Sequence, residues 1–209
     1  GTYTVTPGRP SFEFSPQSET FANLSKDEVA PFFLVTRGVF TRYFAEGATG
    51  SFFTTEIALL NATGTPTDAV VTFQKPDGTS VPVPLTLNGL ERRTVNPATF
   101  PGLENTALAT VIESTQPLIA DRTMRWDARG YGSHTETSMP APATTWYLAE
   151  GATHSGIDLF YLLQNANDAA AHARVTFLLP APAAPVVRDY ELPPQSRTNV
   201  WVDLIEGLA

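Results

Sequence analysis

Ala45-Glu46-Gly47-Ala48-Thr49 returns letter for letter as Ala149-Glu150-Gly151-Ala152-Thr153, an offset of 104 residues. The same offset carries Tyr43 onto Tyr147, Leu59 onto Leu163 and Asn61-Ala62 onto Asn165-Ala166. It also carries Val71-Thr72-Phe73 onto Val175-Thr176-Phe177, and Arg93-Thr94 onto Arg197-Thr198. A self-match held at one period over such a length marks a tandem array. A unit of this size is a whole domain and not a solenoid turn.

The 209 residues are 42% hydrophobic and 16% charged, the balance of a folded globular protein. Thr, Val and Phe are plentiful, 18 Pro and 14 Gly punctuate the chain, and long Ala-Glu-Lys-Leu runs are missing. Such a composition favours many short strands joined by turns, so the expected class is all-β. With no cysteine, disulfides and thiolate metal sites are ruled out and the redox compartment stays open. A formal charge of −8 with two lysines, Lys26 and Lys75, argues against nucleic acid and anionic membranes as partners. No apolar run approaches the roughly 20 residues of a membrane helix, so no membrane insertion is expected. The first residues do not read as a signal peptide, which places any export signal outside this sequence.

Residues 1–40 stand outside the repeat. Tyr3-Thr4-Val5-Thr6 and Phe12-Glu13-Phe14 alternate and meet Pro7-Gly8 and Ser15-Pro16, and residues 29–35 supply a third apolar strand. Repeat one spans 41–141. Phe53, Thr55, Ile57 and Leu59 fall on one strand face, with Thr54, Glu56 and Ala58 on the other. Residues 69–74 and 81–87 are strands flanking Pro76-Asp77-Gly78, a hairpin signal. Strands from Arg93, at 107–114 and at 118–126 bring the total to about seven, the number an Ig-like sandwich needs. Residues 127–133 read as a loop, and the Pro-rich stretch 139–145 as a short, stiff linker.

Repeat two spans 146–209 and follows the same plan. Ile157, Leu159, Tyr161 and Leu163 take the places of Phe53, Thr55, Ile57 and Leu59, the expected core face. On the opposite face Phe160 and Leu162 replace Glu56 and Ala58. Gly207-Leu208 matches Gly102-Leu103, and nothing in repeat two corresponds to residues 107–126. Repeat two is thus expected to be incomplete at its C-terminus: either the sequence is cut there, or its open edges are covered by the rest of the same protein or by strands of an adjacent subunit.

Residues 1–36 resemble the second half of a carboxypeptidase-regulatory-like domain, a small Ig-like sandwich of secreted bacterial proteins. The match lies in Tyr-Thr-Val-Thr-Pro, Phe-Glu-Phe-Ser-Pro and residues 20–25. Residues 42–209 resemble an uncharacterised bacterial surface module that occurs in tandem in large exported proteins. Its pattern is an aromatic residue before Ala-Glu-Gly-x-Thr, then Leu-x-Asn, Ser-Arg-Thr, and an Arg shortly before an aromatic residue. The matching residues are Tyr43 to Thr49, Leu59 to Asn61, Arg93-Thr94 and Arg122 to Trp126, then Tyr147 to Thr153, Leu163 to Asn165 and Ser196 to Thr198; Arg92 stands where Ser is usual. The resemblance implies an extracellular or cell-surface location and carries no activity with it.

No catalytic constellation emerges. Glu46 and Glu150 are the acids fixed by the repeat, and the counterparts of Asp77 and Glu91 are Ala181 and Gln195, so no second carboxylate accompanies them. A structural ion pair fits better: Arg93 and Arg197 repeat as well, and Arg122 shares a strand face with Leu118, Met124 and Trp126. The expectation is that Glu46 meets Arg93 or Arg122, and Glu150 meets Arg197. His134, His154 and His172 stand singly, without metal-ligand spacing. Ser51 and Ser155 repeat, but no histidine repeats with either, which argues against a Ser-His-Asp triad. No cofactor is expected, and only a Ca²⁺ held by loop carbonyls stays open. Trp126, Arg129, Tyr131 and Trp146 could form an aromatic platform for a sugar, although strand-end and junction packing of Trp126 and Trp146 is the simpler reading.

The expected architecture is therefore all-β: tandem Ig-like antiparallel sandwiches joined by a short Pro-rich linker. The expected function is non-catalytic, a structural or adhesive segment of an exported bacterial protein whose partners are other domains or subunits. Phe160, Leu162, Trp126, Tyr131 and Trp146 are the candidate interface residues. The alternative is an ancillary module of a secreted hydrolase with a glycan as its ligand.

Overall fold

From Phe53 to Asn61 the burial follows the period of the sequence: Thr55, Ile57, Leu59 and Asn61 are buried and the residues between them are not. This strand is the centre of the first repeat in a computed structural model that describes residues 1–7, 14–23, 25–26, 34–35, 39–127 and 131–208. Ahead of the repeats, β1 (Tyr3–Val5), β2 (Phe14–Ser15), β3 (Glu19–Phe21) and β4 (Leu34–Val35) form two pairs, β1 with β3 and β2 with β4. The rest of the strands expected at 12–14 and 29–35 lies outside the described residues.

Repeat one holds eight strands: β5 (Phe40–Phe44), β6 (Phe53–Asn61), β7 (Thr67–Gln74), β8 (Ser80–Leu87), β9 (Arg92–Val95), β10 (Ala109–Ser114), β11 (Leu118–Trp126) and β12 (Gly132–Thr137). They make two antiparallel sheets of four, in the orders β5-β10-β7-β8 and β12-β11-β6-β9. The inner faces close on one core, with Ile57, Leu59, Val71, Phe73, Leu87, Leu103, Leu108 and Ile112 fully buried. The central pairs β6–β9 and β7–β10 are those of strands B–E and C–F in an Ig-like sandwich, while β5 and β11 flank them in exchanged sheets. β12 occupies the end of the expected loop at 127–133. It is an edge strand with hardly any buried residue, so it carries no apolar alternation to announce it.

Repeat two keeps the inner half of this plan. β13 (Phe160–Asn165) pairs with β16 (Ser196–Trp201), and β14 (Ala171–Phe177) pairs with β15 (Val186–Leu192). They stand for β6, β9, β7 and β8. Among the described residues repeat two has no counterpart of β5, β10, β11 or β12. Its core is Phe177, Val200, Val202 and Leu208 with half-buried Leu159, Tyr161, Leu163 and Val175 against it. The rings of Tyr161 and Phe177 stack parallel at 5.6 Å and tie the two strand pairs together.

One expectation fails here. Ile157 is exposed and lies before the strand, not on its core face. In repeat one, the first residues of β6 pair only with β11, Phe53 to Trp126 and Thr55 to Met124, whereas the ladder with β9 reaches back only to Ile57. With no β11 beside it, β13 cannot extend so far back. Only two 3-10 turns of three residues, at 97–99 and 202–204, interrupt the strands among the described residues.

The ladders also correct the alignment of the two arginines. β6 pairs with β9 through Leu60–Arg92 and Leu59–Arg93, while β13 pairs with β16 through Gln164–Arg197 and Leu163–Thr198. Arg197 therefore takes the ladder place of Arg92, and Thr198 that of Arg93. The extra residue sits in the connection between β14 and β15, where residues 179–184 replace 75–79, so Leu192 already takes the ladder place of Leu87. Leu90 and Gln195, both in the left-handed region at φ 61° and 46°, donate to the equivalent carbonyls of Thr63 and Asn167. A one-residue slip in a strand sends a side chain to the opposite face.

Candidate functional site

The repeated residues are the place to begin, and most of them hold backbone. Asn61 is fully buried, its Nδ2 donating to Thr65 O at 2.8 Å and Asn88 O at 2.9 Å while its Oδ1 accepts from Thr63 N. Asn165 repeats this with Ala169 O at 2.8 Å, Leu192 O at 3.0 Å and Asn167 N. Each Asn thereby pins two loops to one strand end, satisfying carbonyls that burial would otherwise orphan. Thr49 Oγ1 donates to Leu103 O at 2.5 Å, and Thr153 Oγ1 donates to Leu208 O, so the last residue of the repeated pentapeptide also anchors a loop. Gly47 leaves room for a neighbour: a Cβ there would lie 2.4 Å from Leu108 Cδ1.

Glu46 gathers charge. Its Oε2 lies 3.0 Å from Arg122 Nη2 and 2.9 Å from His134 Nε2, and Arg122 Nη2 also reaches Glu136 Oε2 at 2.8 Å. The Arg122 side chain is 1% exposed on the inner face of β11, so it needs these carboxylates. Among the described residues its Nε has no hydrogen-bond partner. His134 Nε2 is 2.8 Å from Arg122 Nη1 as well, and one ring nitrogen cannot accept from the arginine and donate to Glu46 at once. The expected brace between Glu46 and Arg122 is thus present, with His134 and Glu136 of β12 joined to it. Their spacing of two residues puts both on one strand side; the strand itself was the missing signal.

Arg93 goes elsewhere. Its Nη2 and Nε donate to Glu91 Oε1 at 2.5 and 3.1 Å, and the backbone N–H of Asn88, followed by Arg93, holds the Glu91 carboxyl below the usual carboxylate range. Glu150 does not meet Arg197: it is exposed and makes no ion pair among the described residues. Arg197 lies instead on the outer face of β16, against repeat one.

There Arg197 Nη1 donates to Leu108 O at 3.0 Å and to Gly47 O, while Nε donates to Asn199 Oδ1 at 2.7 Å. The residue is 6% exposed. Burial lowers its guanidinium pKa to about 10, with Glu46 opposing the fall and Arg122 adding to it, so it remains charged at neutral pH. Gln164, its ladder partner, donates from Nε2 to Gln74 Oε1 at 2.9 Å and to Thr110 O at 3.4 Å. The outer face of the β13–β16 pair is therefore seated, at its Gln164–Arg197 end, on one end of repeat one. At the other end of the same face Phe160 and Trp201 stack at 5.4 Å, 45% and 42% exposed, and Leu162 between the two ends is half-buried.

Of the proposed sugar platform, Trp126 is half-buried, its indole lying where a Cβ on residue 132 would come within 2.0 Å, and its ring meets His134 edge-on at 5.4 Å. Tyr131 and Trp146 are exposed, and Arg129 lies outside the described residues. Among the described residues no three of His, Cys, Asp and Glu cluster as a metal would need. No helix there is long and apolar enough to cross a membrane, which says nothing of strands.

Comparison with models of known protein families finds no match, and comparison with curated proteins finds none either. Among solved structures the chain is similar to the crystal structure of Thermotoga maritima 1070, at 11% identity and TM-score 0.45 over 49% of this chain and 94% of that one. It is also similar to the Anabaena sensory rhodopsin transducer, at 24% identity and TM-score 0.36 over 43% of this chain and 91% of that one. Neither likeness is near enough to carry an argument about function.

Proposed function

We propose that the chain is a non-catalytic structural or adhesive segment of an exported bacterial surface protein: part of a stalk, filament or sheath, or an accessory subunit of an extracellular complex. The observation that carries this reading is the use made of Arg197. A buried guanidinium in a cleft is free to bind substrate, whereas this one donates to the main-chain carbonyls of the neighbouring repeat. The other conserved-by-repetition side chains, Thr49, Thr153, Asn61 and Asn165, likewise spend their polar atoms on backbone. Residues so used transmit load and fix geometry. The resemblance to tandem modules of exported proteins supports the location.

The test is protease shaving of intact producing cells with an antibody against residues 41–141. Loss of the signal from unbroken cells supports the reading, and protection until lysis overturns it. Binding on a glycan array that Tyr131→Ala abolishes would favour the sugar-binding alternative instead.

A further inference from the structure

The turn from β8 to β9 and the turn from β15 to β16 are built alike except at one pair of residues. Leu192 pairs with Ala171 as Leu87 pairs with Thr67, so Pro193-Pro194-Gln195 stands where repeat one has Asn88-Gly89-Leu90. Asn61 Nδ2 donates to Asn88 O at 2.9 Å, and Asn165 Nδ2 to Pro193 O at 3.0 Å. No other asparagine in the sequence precedes a glycine. Asn88 is exposed, and the main-chain N–H of Gly89 donates to nothing among the described residues. Gly78, which follows Asp77, differs in this respect, because its N–H donates to Lys75 O at 3.1 Å. A glycine nitrogen has no Cβ beside it to crowd an approaching group. Packing demands that glycine, since a Cβ at 89 would lie 2.4 Å from Gly64 O. The fold thus keeps a free main-chain nitrogen next to an exposed side-chain amide.

We propose that Asn88 modifies itself and thereby releases the asparagine pin of repeat one. Gly89 N attacks Asn88 Cγ: the N–Cγ bond forms, the Cγ–Nδ2 bond breaks, and Nδ2 leaves as ammonia with the proton of Gly89 N. The product is a five-membered cyclic imide. Water opens it at Cγ to give aspartate, or at the main-chain carbonyl carbon to give isoaspartate. Glu91 Oε2 accepts from Asn88 Nδ2 at 2.9 Å, and the carboxylate of an aspartate has no hydrogen to give it. In isoaspartate the chain runs through Cγ and is one carbon longer, and the oxygen that Asn61 holds belongs to a free carboxylate. That extra length falls where Gly89 lies against Gly64 and Leu90 N donates to Thr63 O at 2.9 Å, with no room to absorb it. Repeat two is inert at the same place, because Pro193 carries no amide and Pro194 N no hydrogen.

The experiment incubates the full folded chain in mildly alkaline buffer, digests samples over time and reads them by mass spectrometry. Synthetic aspartyl and isoaspartyl peptides of the same sequence identify the two products by chromatography. The expected result is conversion at Asn88 about tenfold faster than at any other asparagine. Chain aged in this way should show faster amide exchange at 61–65 and 88–91, with 165–169 and 193–195 unchanged. Asn88→Gln, whose longer side chain would have to close a six-membered ring, should abolish both changes. Asn88 is exposed, so that replacement leaves the core untouched. Three results overturn the proposal. Asn88 stays intact in the folded chain while it converts in denaturant; or it converts no faster than the other asparagines; or it converts and leaves exchange at 61–65 as it was.

Discussion

Repeat one and repeat two share their pentapeptide, their pinned asparagine and two strand pairings, yet differ in how much of the same face they bury. Leu59 and Leu163 are the same residue at the same ladder position, one fully enclosed and the other half-covered. The difference teaches that local motifs set local geometry, while burial belongs to the strands that surround it. Asn61 and Asn165 need only their own loops, so they match almost bond for bond. Glu46 meets an arginine on a strand from farther along the chain, and among the described residues Glu150 meets no such partner.

Truncation of the shared leucine should expose this contrast most strongly. Leu59→Ala is expected to cost about 4 kcal/mol, as a cavity in a closed core does, and Leu163→Ala about 1 kcal/mol. Denaturant unfolding followed by exchange at peptides from each repeat separates the two values. Equal losses would mean that the cores do not differ.

The asparagines sharpen the comparison from the other side, because here the repeats should agree. Asn61→Ala and Asn165→Ala each leave buried carbonyls unpaired and are expected to cost about 3 kcal/mol in their own repeat. A difference above about 1 kcal/mol, measured the same way, would show that the pin depends on the surrounding strands after all.

Replacement of the repeated acid should split them again. Glu46→Gln removes one of two carboxylates from Arg122 and is expected to cost about 2 kcal/mol, below the usual loss for a buried pair because Glu136 remains. Glu150→Gln should change the stability of the chain by less than about 0.5 kcal/mol. A thermal melt of each variant decides.

The smallest effect concerns the contact between the repeats. Arg197→Lys keeps the charge and loses the reach to two carbonyls at once, and is expected to cost about 1 kcal/mol. Its mark should be faster amide exchange at Leu108 and in β16, with the core of repeat one unchanged. Unaltered exchange at Leu108 would mean that the arginine holds nothing.

The sequence made much of this readable. The period of two in residues 53–61, the Pro-Asp-Gly hairpin and the 104-residue self-match announced an all-β tandem array, and an arginine among apolar neighbours announced a carboxylate beside it. What stayed hidden had physical causes. Gly-Ser-His-Thr-Glu-Thr forms β12 at a sheet edge where no side chain enters the core, so its letters hold no alternation. Arg93 and Arg197 align by letter, but one added residue in the β14–β15 connection moves Arg197 to the other face of its strand. Ile157 carries the right period but lacks the partner strand that would make the period count.

The seat of Arg197 has a consequence for how such chains can change over generations. Its acceptors on repeat one are the oxygens of Gly47 and Leu108, which belong to the main chain. An arginine that touches only main chain is blind to most substitutions at those two positions, provided the glycine stays. Units can then be duplicated, deleted or shuffled within one gene, and each new neighbour finds a socket already made for it. Length becomes a property that recombination can adjust without redesigning a single junction.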